Sequence, residues 1–198
     1  MAVLLMNGAS TNNITSVTDS LGSHLAYSKL VALAAVQTDT EIWAANCASA
    51  QTNMTVTVNL SGVVNINDCG LAIVVFTGAA TTQNGATQSS SSSNADPSAN
   101  LTTTANNSWV IGAVTNWSNT TLPTIPGGQT DVFNSLTLAF QNSTTGTSGW
   151  AQAQTTTTAS SGSSVTINDS APTIQYSMVI AEILAGSGSP TATVAWLS

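Results

Sequence analysis

Fixed positive charge is almost missing from this chain, because Lys29 is the only lysine or arginine among 198 residues. Charged residues make up 5 % of the sequence, compared with roughly 25 % in an ordinary soluble domain. Serine and threonine together supply 59 positions, and asparagine supplies 18. Residues that favour helices are therefore scarce, while residues that favour strands and turns are abundant. The composition predicts a β-rich fold whose surface meets water through hydroxyl and amide groups.

The charge balance excludes several classes of partner. The formal net charge is −7, whereas binding to nucleic-acid phosphates or to anionic lipids needs clustered Lys and Arg side chains. We therefore expect no nucleic-acid binding and no membrane association, and no segment approaches the ~18 apolar residues of a spanning helix. The apolar N-terminal run is short and lacks a basic segment, which predicts release by cell lysis or a replaced leader.

Apolar and polar residues alternate with a period of two in the clearest segments, as they do in half-buried strands. Three segments show this alternation: 52–60, 134–140 and 163–168. Three further segments are apolar on both faces: 71–76, 109–114 and 174–184. These last segments predict central strands that are covered on both sides, or on one side with an oligomer contact on the other. Residues 29–36 fit a short helix as well as a strand.

Polar connectors separate these segments. Residues 81–100, which include five consecutive serines, predict a surface excursion or mobile loop, and residues 117–129 predict a second long loop. About nine or ten short strands with this spacing predict an all-β fold, an antiparallel β-sandwich of jelly-roll-like form with long Ser/Thr-rich loops. We expect residues 1–185 to form a single sandwich domain. Residues 186–198 form a Gly/Ser hinge and a C-terminal strand, which either joins its own sheet or extends as an arm to a neighbouring subunit.

The two cysteines leave two interpretations open. Cys47 and Cys69 are the only cysteines, and they could form a disulfide bond. Two cysteines are too few for a disulfide framework, and buried thiols are common in protein cores. Either a Cys47–Cys69 bridge or two thiols is compatible with the sequence.

Residues that carry catalytic or metal chemistry are scarce. His24 is the single histidine, and one histidine cannot be a metal ligand and also a base with orienting partners. Asp39 and Glu41 share a face if they lie on a strand, but some such pair can always be chosen from eight acids, so a glycosidase is disfavoured. The Asn-Asp pairs at 67–68 and 168–169 could bind calcium, or could form Asx-turns without an ion. We expect no enzyme activity, no catalytic residues, no cofactor and no metal.

Tryptophans and the C-terminal segment supply the candidate contact residues, for subunit interfaces or for glycans: Trp117, Trp150, Trp196, Val194 and Leu197. Trp117 and Trp150 adjoin predicted loops, where an exposed ring could stack on a sugar. Packing within a core or between subunits is the commoner use of tryptophan in such folds.

A series of short motifs resembles the β-sandwich modules of tailed-bacteriophage virion proteins and of some bacterial surface proteins. The motifs are residues 17–27 (VTDSLGSHLAY), 41–43 (EIW), 55–58 (TVTV) and 71–78 (LAIVVFTG). In those modules a V-T-D-x-x-G-x-x-Y turn precedes an E-I-W strand and an F-x-G strand end, and residues 109–112 and 176–184 are similar to the second half. The resemblance implies a module without catalytic residues. This chain departs from the pattern of those modules in its long Ser-rich segment and its few charged residues. The resemblance therefore leaves open whether the module serves adhesion or shell decoration.

These observations predict a non-enzymatic virion structural protein that decorates or cements a phage capsid, with itself and the major capsid protein as partners. A trimer or another symmetric oligomer on the virion surface is expected. A carbohydrate- or receptor-binding module of a tail fibre or secreted protein, with a surface glycan as its partner, is the alternative. A further alternative is a subunit of an extracellular filament, in which residues 194–197 pair with another subunit.

Overall fold

The computed structural model describes residues 1–7, 14–61, 68–132, 140–170, 173–187 and 191–194. Within these residues the chain forms β-strands and no α-helix, which confirms the all-β prediction. The strands are β1 (Ala2–Asn7), β2 (Ile14–Asp19), β3 (Tyr27–Ala35), β4 (Thr38–Ala45), β5 (Val56–Leu60), β6 (Cys69–Thr77), β7 (Thr87–Ala95), β8 (Ser98–Thr102), β9 (Trp109–Asn116), β10 (Gln129–Asp131), β11 (Phe140–Asn142), β12 (Thr147–Gln154), β13 (Ser164–Asn168), β14 (Ile174–Ile183) and β15 (Thr191–Val194).

Two antiparallel sheets form the centre of the molecule. The first has the strand order β15-β6-β1-β4-β3, and the second has the order β10-β12-β9-β14-β7, with β11 also paired to β12. Their facing surfaces share one core, to which the first sheet contributes residues such as Leu4 and Ile42 and the second sheet residues such as Ile111 and Val179. The packing of two antiparallel sheets across an apolar layer confirms the β-sandwich.

Two additional hairpin-like ribbons cover the outer faces of the sandwich. The β2–β5 ribbon packs against the first sheet through a cluster that includes Val3, Val17 and Val56. The β8–β13 ribbon packs against the second sheet through Leu101, Ile167 and their neighbours. Four β layers are therefore stacked, where most domains have two or three. This arrangement explains why the central strands are apolar on both faces, and it confirms that they are covered on both sides.

The connectivity largely separates the two halves of the chain. Strands β1, β3, β4 and β6 build the first sheet before the chain enters the second sheet at β7, and β15 then returns to the first. A jelly roll, by comparison, changes sheet at most of its connections. β15 lies at the edge of its own sheet, where Thr191 is opposite Thr77 and Val194 is opposite Val74. Within this chain the C-terminal strand therefore joins its own sheet, which is the first of the two predicted alternatives.

The prediction for residues 81–100 is wrong, because most of this segment is strand. The five serines lie in β7, which pairs with the central strand β14 along the register Ser89↔Val179 to Ser92↔Tyr176. Serine has little preference for strands, so the hydrogen-bonding partner decides the conformation here.

Residues 29–36, ambiguous in the sequence, lie mostly in β3, and residues 164–168 form the predicted strand. The predicted strand at 134–140 falls mainly outside the described residues.

Candidate functional site

Buried carboxylates are the most unusual chemical feature of the structure. Seven of the eight acidic side chains are 9 % exposed or less: Asp19, Asp39, Glu41, Asp68, Asp131, Asp169 and Glu182. Aspartate and glutamate are rarely buried unless they are paired or hydrogen-bonded. Only Asp96 is exposed, and His24 and Lys29, which complete the set of charged or basic side chains, are exposed as well. The formal charge of the chain therefore lies largely inside the molecule, and its surface is mostly neutral.

Glu182 shows what a buried carboxylate does in this fold. It lies on β14 and is 1 % exposed. Its carboxylate oxygens accept the backbone N–H groups of Ala86 (2.9 Å), Thr104 (2.9 and 3.0 Å) and Ala105 (3.1 Å), and also the Thr104 hydroxyl (2.8 Å). Burial disfavours the charge, but these donors outweigh it and hold the pKa of Glu182 below its usual range. One side chain thus joins three separate segments of the chain.

Asp19 has the same role in the turn that follows β2. Its carboxylate accepts the backbone N–H groups of Leu21 and Leu25, each at 2.9 Å, and lies 3.2 Å from His24 Nδ1. Burial opposes ionisation, yet the hydrogen bonds from Leu25, Leu21 and His24 lower the pKa of Asp19. The V-T-D motif of the sequence therefore ends strand β2, and its aspartate organises the turn formed by residues 20–25.

The two Asn-Asp pairs considered for calcium are used differently. Asp68 Oδ1 accepts hydrogen bonds from Asn142 Nδ2 (2.8 Å), from Thr145 Oγ1 (2.7 Å) and from the Thr147 hydroxyl, which connects the start of β6 to the β11–β12 turn. Asp169 Oδ2 accepts a bond from Trp150 Nε1 at 3.2 Å. Asn67 lies outside the described residues. Among the residues described, no group of three or more His, Cys, Asp and Glu side chains is arranged to hold a metal.

Asp39 and Glu41 do share one face of β4, as predicted for a strand. Glu41 Oε1 lies 2.9 Å from Lys29 Nζ, and Glu41 Oε2 accepts a bond from Trp43 Nε1 at 2.6 Å. The Lys29 ammonium also sits 5.1 Å from the centre of the Trp43 ring, a cation–π distance. Both oxygens of Glu41 are thus engaged, which leaves this pair without the accessible second carboxylate of a glycosidase.

Asp39 is a buried acid whose carboxyl group lacks a full set of donors. It is 1 % exposed, and its Oδ2 atom has no hydrogen-bond partner among the described residues. Burial, followed by the neighbouring charge of Glu41, raises the pKa of Asp39 to about 7, while Lys29 partly opposes the shift. The Asp39 carboxyl group therefore changes its charge near neutral pH.

The predicted contact residues separate into distinct environments. Trp150 is 2 % exposed beneath the β8–β13 ribbon, where its Nε1 donates to Gln152 Oε1 at 3.2 Å as well as to Asp169. The interpretation of Trp150 as a glycan or subunit contact is therefore wrong, and the residue packs the core. Trp117 is half-buried at the end of β9. Val194 pairs with Val74 along the backbone, and Trp196 and Leu197 lie outside the described residues.

The Cys47–Cys69 bridge is not formed. Both residues are thiols, and they lie near opposite ends of β1, since Cys69 is opposite Asn7 whereas Cys47 follows Ala45, which bonds to Met1. A six-residue strand spans roughly 20 Å, while the Cα atoms of a disulfide lie within about 7 Å. Burial, followed by the charge of Asp68, raises the pKa of the Cys69 thiol to about 11.

A cleft that the sequence did not predict lies at the end of the sandwich where β1 begins and β6 ends. Its volume is about 900 Å³, and it is lined by uncharged side chains that include Ala44, Gln51, Met54, Phe76 and Gln83. The lining comes from loops and strand ends that are far apart in the chain. No periodic pattern marks such residues, so only the fold brings them together.

Comparison of the chain with known protein families, with characterised proteins and with solved structures finds no match. The resemblance to bacteriophage β-sandwich modules therefore stays a prediction. The part of the chain that the structure describes contains no helix of the length and apolarity that crossing a membrane would require.

Proposed function

We propose that this protein is a non-enzymatic structural component of an extracellular particle, and that it decorates or cements the shell of a bacteriophage. The observation that carries the proposal is the burial of seven of the eight carboxylates. Glu182, Asp19 and Asp68 accept hydrogen bonds that hold loops and strand ends together. These three carboxylates thus stabilise the fold through hydrogen bonds, which leaves them poorly placed for acid–base catalysis.

The neutral surface suits a protein that binds other proteins outside a cell. Hydroxyl and amide groups form hydrogen bonds that salt does not screen, whereas contacts between exposed charges weaken as ionic strength rises. With Asp96, Lys29 and His24 as its exposed charged or basic side chains, this surface depends little on ion pairs. A shell protein that must stay attached in media of varying salt content benefits from such contacts.

The four-layer architecture limits where partners can bind. The apolar faces of both central sheets are covered within the chain by the β2–β5 and β8–β13 ribbons. Contacts with the major capsid protein and with further copies of this chain therefore use the strand edges, loops and polar outer ribbons instead of open apolar sheet faces. This changes the expected mode of association, although the symmetric oligomer remains part of the proposal.

The proposal is tested on particles released by the cells that produce the protein. Particles are purified on a density gradient, washed at low salt or at about 1 M NaCl, and assayed by quantitative mass spectrometry. We expect the protein in a fixed ratio to the main shell protein under both conditions. Its absence from the particle fraction would refute the proposal, as would turnover of a substrate by the purified protein. Binding of purified protein to a glycan array would favour the carbohydrate-binding alternative.

A further inference from the structure

The outer strands of the two central sheets differ in how they are protected from pairing. The first sheet ends at β3, which carries Lys29 and an irregular register between Lys29 and Val31, and at β15, which has four residues. One side of the second sheet ends at β10 and β11, which have three residues each. Short strands, lysine and bulges are the usual means by which edges avoid pairing with other chains. The other side of the second sheet ends at β7.

β7 has none of these protections over most of its length. It has nine residues, Thr87–Ala95, with the sequence TQSSSSSNA, which contains neither a charge nor a proline. Its pairing with β14 is regular from Ala181↔Thr87 to Tyr176↔Ser92, and the register shifts only near Ala95. On its other side no strand pairs with β7 among the residues the structure describes. A long, regular and uncharged edge is a template for a further strand.

The backbone of β7 directs hydrogen-bonding groups toward this open side. The N–H of Ser89 donates to the Oε1 atom of the adjacent Gln88 at 2.9 Å, so a side chain takes the place of a strand partner there. N–H groups two residues apart point to the same side of a strand, which places the N–H of Ser91 on the open side too. Ser91 is exposed. Strand β3 of the other sheet packs against β7, and its exposed residues Ala32 and Ala34 have small side chains.

We propose that β7 pairs with β7 of a second copy of this chain, antiparallel about a two-fold axis, so that the second sheets of two subunits become one continuous sheet. A two-fold register centred on Ser89, Ser90 or Ser91 places serine opposite serine in its middle, and it places no charge opposite another. Of the eight acidic side chains only Asp96 is exposed, so few negatively charged groups lie at the surface where two copies would meet. The inference rests on the proposed structural role, because it names the surface through which copies associate.

Sedimentation equilibrium of the full chain tests this pairing. We expect a reversible dimer for the natural sequence and a decrease of at least about tenfold in the association constant for Ser91→Lys, which places like charges near the two-fold axis. Thr102→Lys is the matched control, since Thr102 is exposed on β8 in an outer ribbon and should leave association unchanged. Circular dichroism establishes that both variants are folded. A natural chain that is monomeric at on the order of 100 µM, or a dimer that Ser91→Lys leaves intact, overturns the inference.

Hydrogen exchange gives a second readout that needs no variant. Amides of residues 87–95 should exchange more slowly at high than at low protein concentration, whereas amides of β8 should exchange at the same rate. Equal exchange of 87–95 at both concentrations overturns the pairing even if a dimer forms elsewhere. Failure of the structural role is distinguishable from this result. If the protein pairs through β7 but is absent from particles, only the structural role is refuted. If the protein is bound to particles but its copies do not associate through β7, only the pairing is refuted.

Discussion

Asp39 offers the sharpest test of the electrostatic reasoning, because its carboxyl group is buried without a full set of donors. Replacement by asparagine keeps the shape of the side chain and removes the ability to ionise. We expect Asp39→Asn to make stability nearly independent of pH in the range where the natural protein loses stability. The physical reason is that an ionised Asp39 would face Glu41 in a site with almost no access to water.

The size and sign of the effect follow from the two pKa values. The pKa is 3.8 for an ordinary aspartate and about 7 for Asp39 in the fold. Between these values the folded state holds a proton that the unfolded state has lost, so stability falls as pH rises from about 4 to about 7. The difference corresponds to about 4 kcal/mol in total, of which about 2 kcal/mol falls between roughly pH 5.5 and 7.

Between about pH 5.5 and 7, the ionisation of Asp39 can be measured separately from that of Asp19 and Glu182, whose pKa values are shifted in the opposite direction. Asp19 and Glu182 have lowered pKa values, so the stability they contribute is present above their unfolded values and is lost only as pH falls below them. Urea unfolding followed by tryptophan fluorescence gives the free energy of unfolding at each pH. Comparing Asp39→Asn with the natural protein at the same pH cancels contributions from groups elsewhere, such as the terminal amine beside Ala45.

Asp96→Asn is the control, because it removes the same charge from an exposed position and should leave the pH dependence unchanged. The reasoning is refuted if the natural protein keeps constant stability from about pH 5.5 to 7. It is equally refuted if Asp39→Asn loses stability over that range as steeply as the natural protein does.

Three other substitutions test the buried contacts, each by urea unfolding against the natural protein. Glu182→Gln should cost about 3 kcal/mol, because an amide NH₂ group then faces backbone N–H donors; a cost below about 1 kcal/mol would contradict the role of this carboxylate. Gly112→Ala should cost about 1–3 kcal/mol, since the added Cβ would lie 3.1 Å from Ile167 Cγ2 in the β8–β13 ribbon, and a neutral outcome would show that the ribbon can move aside. Thr40→Val should cost about 1–3 kcal/mol by leaving the buried Ser177 hydroxyl with one partner fewer; unchanged stability would argue against that hydroxyl contact.

The alternation of apolar and polar residues predicted strands correctly where it occurs, but it could not predict β7, whose sequence does not alternate. Residues 56–60 and 164–168 alternate in the sequence and are strands in the structure. The serine run of β7 has no alternation of apolar and polar side chains, and it is a strand because β14 supplies the hydrogen-bonding partner. An edge strand can take its conformation from its neighbour, and its own sequence then contains little trace of it.

The role of the acids could not be predicted from their positions in the chain. Asp68 and Asp169 follow asparagines, which suggested calcium sites or Asx-turns, and Glu182 lies in an apolar segment without any motif. The donors that bind Glu182 come from Thr104 and Ala86, which are 78 and 96 residues away. Such a site exists only once the sheets have brought distant loops together. The same is true of Trp150, which a neighbouring turn marked as exposed and the β8–β13 ribbon buries.

The sequence by itself determined that the chain is all β and that its central strands are apolar on both faces, because side-chain periodicity and composition act locally. It also determined that nearly all fixed charge is negative, with a single lysine. Only the tertiary structure decided where that charge lies and which edges stay open. Burial of a carboxylate depends on backbone N–H groups converging from remote segments, and exposure of β7 depends on the order of strands in its sheet. Both are long-range properties of packing, which no local stretch of sequence encodes.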